Sequence, residues 1–268
     1  MSAERGADGR AERDADVRAD VRAEPILAVS GVGKRFGAFV ALKDVTVAFP
    51  AGQLTAIIGP NGAGKSTFFN LISGAFPPST GTVVFEGRDI TGLPQHQFAR
   101  IGIAKSFQIT NVFKQLSAFE NVRVAAQMRH ARFELFKPRA ALREVAEQAE
   151  ALLARVGLAD MRHRRAGDLA HGQQRALEIA MALAPQPRLL LMDEPTAGMS
   201  PEETTVMMDL ITTLAAERTV VLVEHKMKLV MGICQRLVVL HHGELLAEGT
   251  PDEIRANTDV KRVYLGQH

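Results

Sequence analysis

The segment Leu54-Thr55-Ala56-Ile57-Ile58-Gly59-Pro60-Asn61-Gly62-Ala63-Gly64-Lys65-Ser66-Thr67 constrains this chain more than any other. Its first five residues read as a short buried strand, and Phe68 to Ser73 read as a helix. Between them Gly59–Thr67 matches GxxxxGK[ST] in full. Glycines let the backbone wrap closely enough for its N–H groups to face phosphate oxygens, and the following helix adds its positive end. In that setting Lys65 reaches the β- and γ-phosphates and the Ser66 hydroxyl ligates Mg²⁺. Gly59, Pro60, Asn61, Gly62, Ala63, Gly64, Lys65, Ser66 and Thr67 are the candidate nucleotide-binding residues.

The surrounding pattern extends this unit into an α/β fold. Strand-like runs recur at Leu189–Met192, Thr219–Val223 and Leu237–Leu240, separated by helical patterns at 201–217 and 226–235. Strands alternating with helices imply a largely parallel sheet. Ile26–Val29, Val40–Phe49 and Thr82–Phe85 read as further strands, the first two near an edge. Residues 92–185 are rich in Ala, Leu, Arg, Glu and Gln with helical spacing, clearest over Ala140–Val156, and read as a helical insertion. Ser200-Pro201-Glu202-Glu203 and Thr250-Pro251-Asp252-Glu253 each offer a hydroxyl N-cap, Pro at the first helical position and Glu at the third. Residues 1–24 alternate Ala, Arg, Asp and Glu with almost no large apolar side chain, so they are expected to form a disordered charged tail. The folded domain is expected over 25–268.

Composition excludes several classes. A formal net charge of +2 gives no basic field for nucleic acid. The single cysteine, Cys234, leaves no internal disulfide and suits a reducing compartment; its apolar neighbours point to an inert buried thiol. No apolar run approaches the ~18–20 residues needed to span a bilayer, and no secretory signal is evident.

Two further motifs carry chemistry. Leu189-Leu190-Leu191-Met192-Asp193-Glu194 is an apolar strand ending in two acids, which a parallel sheet places at its ligand-binding carboxyl edge. Asp193 would hold Mg²⁺ through water and Glu194 would polarise the attacking water. About twenty residues upstream, Leu169-Ala170-His171-Gly172-Gln173-Gln174-Arg175 leads into an apolar helical run.

Together these segments resemble the nucleotide-binding subunits of ABC transporters, a P-loop NTPase type whose signature LSGGQ aligns here as LAHGQ. The resemblance covers about residues 25–268. It implies a head-to-tail pair of ATPase subunits, equal or different, with the 169–173 segment of one covering the γ-phosphate of ATP bound to the other. Ala170, His171, Gly172 and Gln173 would then contact the partner's nucleotide. Ala170 and His171 replace the usual Ser and Gly, so the hydroxyl contact is missing while backbone N–H groups remain. Gln108 resembles the glutamine that binds Mg²⁺ and senses the membrane subunit. His225 resembles the switch histidine at the γ-phosphate, which makes it catalytic together with Glu194 and Lys65. Phe36 matches the aromatic that stacks on adenine, with a plain core role as its rival. Gly198-Met199-Ser200-Pro201 occupies the loop where subunits meet.

Signatures of the form LAxGQQR and the C-terminal part from His225 to Gly266 resemble the branched-chain amino acid importer branch. That implies an ATP- and Mg²⁺-dependent ATPase, peripheral at the cytoplasmic face of the inner membrane. Its implied partners are transmembrane permeases, a second ATPase subunit and, indirectly, a periplasmic solute-binding protein. Importers of urea, amides or other small solutes, lipid or lipopolysaccharide exporters, and soluble non-transport ABC ATPases are the alternatives.

Overall fold

A computed structural model describes residues 25–106, 112–127 and 139–265; the 1–24 tail and Gln108 lie outside the described residues. Six strands form the main sheet, in the order β10 (Glu244–Gly249), β9 (Arg236–His241), β3 (Leu54–Ile58), β8 (Thr219–Val223), β7 (Leu189–Asp193) and β6 (Ile103–Ser106). All neighbours are parallel except the β10–β9 edge pair. A second sheet is antiparallel, in the order β2 (Phe39–Pro50), β1 (Pro25–Phe36), β4 (Thr80–Phe85) and β5 (Arg88–Asp89).

Every residue of β3, β7 and β8 is buried, which explains why these strands read as unbroken apolar runs. Successive side chains still point to opposite faces. Ile57, Leu189, Leu191, Val221 and Val223 join the cluster beneath the antiparallel sheet, which also holds helix α1 (Lys65–Ile72). Leu54, Ala56, Leu190, Met192, Val220 and Leu222 join the cluster on the other face. Burying each such side chain contributes ~1.5–3 kcal/mol, so the sheet is the energetic centre of the molecule.

The helices follow the chain as α2 (Phe98–Ile101), α3 (Ala118–Gln127), α4 (Arg139–Arg155), α5 (His171–Leu183), α6 (Pro201–Ala215), α7 (Met227–Ile233), α8 (Pro251–Ala256) and α9 (Thr258–Leu265). Among the described residues no helix is long and apolar enough to cross a membrane. Both capping motifs form: Ser200 accepts from the Glu203 amide and Thr250 from the Glu253 amide, each with Pro at the helix start. One stretch departs from its sequence pattern. Ile103–Ser106 lies inside the 92–185 run yet pairs with β7 as the sheet's edge strand. Four residues are too few to display a strand period, and pairing decides their conformation.

Cys234 closes α7 and is 6% exposed. Burial, aided by the charge of Glu224, pushes its thiol up to about 12. The thiolate is the reactive form. We therefore predict that a thiol reagent at pH 8 labels the native chain at least ~100-fold more slowly than the urea-unfolded chain. Comparable rates would contradict the burial.

Candidate functional site

Parallel pairing sets the level of the site. Ile57 of β3 lies beside Val223 of β8, and Val223 beside Asp193 of β7. The three strand ends therefore stop together, and the turns leaving them start with Gly59, Glu194 and Glu224-His225. This carboxyl edge is where parallel sheets bind ligands.

In the first turn, Gly59 adopts φ 153° and a Cβ there would lie 2.3 Å from the Leu240 carbonyl oxygen. Gly64, at φ 97°, is the N-cap of α1 and would bring a Cβ within 2.9 Å of Leu42 Cδ2. Glycine is required at both, by contact and by conformation. Lys65 is 5% exposed, and its Nζ donates to the Gly59 and Pro60 carbonyls at 2.8 and 2.9 Å. Burial holds the Lys65 ammonium below its ordinary range, while the charge of Glu194 works the other way. Asn61, Gly62 and Ser66 are exposed, Thr67 is half-buried and Ala63 is buried. No acidic residue stands in the first turn of α1, so its positive end faces no carboxylate of its own helix.

Asp193 is 7% exposed, and burial raises its carboxyl above the usual range, opposed chiefly by Lys105. Lys105 donates to Asn70 Oδ1 at 2.8 Å and to Ser73 Oγ at 3.2 Å. A carboxyl raised by burial gains most from a cation placed beside it. A basic loop, a hydroxyl on an uncapped helix end and a buried carboxylate fit a polyphosphate with a dication. Mg²⁺ keeps several waters and needs only one or two protein oxygens.

Glu194 and His225 meet: Nε2 of His225 lies 2.5 Å from Oε1 of Glu194. The two side chains are 20% and 43% exposed, so the pair faces solvent. Glu194 holds φ 47°, and its amide donates to the Val223 carbonyl at 3.0 Å.

The 169–173 segment stands at the start of α5. Ala170 is the N-cap without a side-chain bond, and its amide donates to Gln173 Oε1 at 3.0 Å. Glu203 supplies the missing acceptor from another element: its Oε1 takes the Gly172 amide at 3.2 Å, and its Oε2 takes the Ser200 amide at 3.1 Å. His171 Nε2 lies 3.2 Å from the Ala197 carbonyl oxygen. The signature start is thus bonded to Ala197 and to Glu203, in the first turn of α6 of its own chain. Ala170 and His171 are exposed.

Phe36 is 48% exposed, which removes the plain core reading. It meets Phe76 edge-on at 5.5 Å, with Lys34 Nζ 5.2 Å from its ring.

Sequence reasoning passed over Glu203 beyond its capping role, and Glu224 and Thr196 altogether. Glu224 Oε1 accepts from the Thr196 hydroxyl at 2.6 Å. An acid directly before His225 at a strand end was the available signal. Tyr264 was also passed over. Burial pushes its phenol up to about 12, with the Gly59 backbone opposing, which puts the C-terminal helix beside the phosphate loop.

Comparisons with known proteins agree with this geometry. The model of the ABC transporter family matches residues 42–197, and one described as branched-chain amino acid ATP-binding cassette transporter matches residues 244–268. The chain is 45% identical over 252 residues to the high-affinity branched-chain amino acid transport ATP-binding protein BraF of Pseudomonas aeruginosa, covering 91% of this chain and 98% of that protein. It is 42% identical over 252 residues to LivG of Salmonella typhimurium, described in the same words, covering 91% and 99%. A crystal structure of a nucleotide-free ATP-binding cassette from an ABC transporter superposes with a TM-score of 0.79 at 29% identity, covering 91% of this chain and all of that one.

Gly59→Ala tests the loop geometry. The added Cβ displaces the loop from Leu240, so affinity for a fluorescent ATP analogue should fall at least about tenfold, or ~1.4 kcal/mol. Unchanged affinity would contradict the assignment.

Proposed function

We propose a function from one plain premise: the chain belongs to the ABC transporter family. It is the ATP-binding and ATP-hydrolysing subunit that powers a branched-chain amino acid importer. The observation that carries the hydrolytic reading is the 2.5 Å contact of Glu194 with His225 beside the phosphate loop. The cargo is supported by the match over residues 244–268 and by what the BraF and LivG relatives transport by name.

The residues divide the work. The Gly59–Thr67 backbone and Lys65 bind the β- and γ-phosphates, and Phe36 gives adenine an exposed aromatic face. Lys65 leaves the Gly59 and Pro60 carbonyls when a phosphate offers stronger acceptors. Ser66, Asp193 and Gln108 are the residues that would hold Mg²⁺. When bound, the ion neutralises charge that builds on the phosphate oxygens. Glu194 orients the attacking water, and His225 fixes Glu194 from one side and faces the γ-phosphate from the other. Residues Ala170, His171, Gly172 and Gln173 cover the nucleotide of a second ATPase subunit through the backbone, since Ala170 has no hydroxyl to offer; the Ala170 and Gly172 amides exchange Gln173 and Glu203 for phosphate oxygens. Loss of the γ-phosphate contacts then lets the two subunits part.

Force reaches the membrane through a cavity of about 490 Å³ between α2, β6 and α5, lined by Gln95, Phe98, Lys105, Met181 and Pro185. β6 ends at Ser106, two residues before Gln108, so a permease segment seated there touches the element that leads to the metal site. On this reading the subunit works peripherally on the cytoplasmic face, and a periplasmic solute-binding protein delivers cargo from the other side.

Glu194→Gln removes the charge that orients water and keeps the shape. We expect turnover of the assembled transporter to fall by ~10²-fold or more while ATP stays bound. Turnover within a few-fold of wild type would sink the role of Glu194.

A further inference from the structure

We propose that Glu224 is a positioning residue for ATP hydrolysis: one buried carboxylate that fixes the backbone on both sides of the Glu194–His225 pair. The proposal rests on the hydrolytic reading given above. Glu224 is 3% exposed and lies between the end of β8 and His225. Its Oε1 accepts from the Thr196 amide at 3.1 Å and from the Thr196 hydroxyl at 2.6 Å. Its Oε2 accepts from the His225 amide at 3.0 Å. Thr196 is fully buried and stands two residues after Glu194.

These bonds close a frame. The Glu194 amide ties back to Val223, the residue before Glu224, and the Ala197 amide ties back to the Glu194 carbonyl. Lys226 adds a bond from Nζ to the Thr196 carbonyl at 3.3 Å. Glu194 therefore sits in a left-handed turn, φ 47°, pinned at both flanks. That conformation is uncommon for a non-glycine residue, and the bonds on both sides hold Glu194 in it. The His225 ring is 43% exposed, so packing alone does not hold it, and the anchored amide beneath it sets where it points.

The chemistry calls for a carboxylate. All three groups facing Glu224 donate, and an ionised carboxyl only accepts. An amide at this position turns an NH₂ towards either Thr196 or His225, leaving a buried donor opposite another donor. Through Thr196 the frame continues to Ala197, whose carbonyl meets His171. The turn that sets the hydrolytic pair in one site thus borders the segment that covers the partner's nucleotide.

The test uses the assembled transporter, with steady-state ATP hydrolysis and thermal melting measured on Glu224→Gln, Thr196→Val, Thr196→Ser and Glu194→Gln. Glu224→Gln should lower kcat at least about tenfold with KM for ATP within about twofold, because the phosphate loop is untouched. Thr196→Val, which removes only the hydroxyl bond, should lower kcat in the same direction, and Thr196→Ser, which keeps it, should restore the rate. Should Glu224→Gln fail to fold, Thr196→Val against Thr196→Ser carries the comparison. Wild-type kcat in Glu224→Gln or in Thr196→Val overturns the proposal, as does a loss of rate that only follows the loss of folded protein. An active Glu194→Gln overturns the hydrolytic reading itself. An inactive Glu194→Gln beside a fully active Glu224→Gln overturns the positioning role alone.

Discussion

Parallel register in the main sheet is the constraint on which the rest of the molecule depends. Because β3, β8 and β7 run side by side with Ile57, Val223 and Asp193 in register, three separate turns open at one level. The phosphate loop, the Asp193-Glu194 pair and the Glu224-His225 pair come from positions far apart in the chain. Only the sheet brings them together. The sheet is held by apolar contact on both faces, so the site is carried by the best-buried part of the molecule. Function sits on loops and precision comes from the scaffold beneath.

Charge at that edge is arranged unevenly. Lys65 is buried and faces loop carbonyls, Asp193 is buried with Lys105 as its main opposing charge, and the first turn of α1 carries no acid. Each group is in a state that a phosphate chain with a dication would improve. Glu194 and His225 are more open and lean on each other. Lys65 and Asp193 are thus set by burial, whereas the Glu194–His225 pair is set by hydrogen bonds to the backbone around it. The signature start behaves in the same way: lacking a hydroxyl at Ala170, its amides are met by Gln173 and Glu203.

Much of this was legible in the residues, for physical reasons. Leu54–Ile58, Leu189–Met192 and Thr219–Val223 could be read because a strand buried on both faces is almost wholly apolar. Ser200 and Thr250 could be read because a helix cap is local chemistry. Ile103–Ser106 could not, since its strand state comes from pairing with β7 rather than from any pattern of its own. In sequence Glu203 reads only as a helix-capping acid and Glu224 only as an acid before His225. Their partners, Gly172 and Thr196, lie 31 and 28 residues away, so only folding reveals them. Phe36 could be read as core or as contact, and its exposure removes the core reading.

ATP hydrolysis at this carboxyl edge is proposed to drive import of branched-chain amino acids. The most direct measurement is accumulation of labelled leucine by proteoliposomes that hold the assembled transporter, with nucleotide enclosed on the side of this subunit and the solute-binding protein outside. Leucine should accumulate with enclosed ATP and Mg²⁺, and not with a non-hydrolysable ATP analogue. Equal accumulation with the two nucleotides would contradict it.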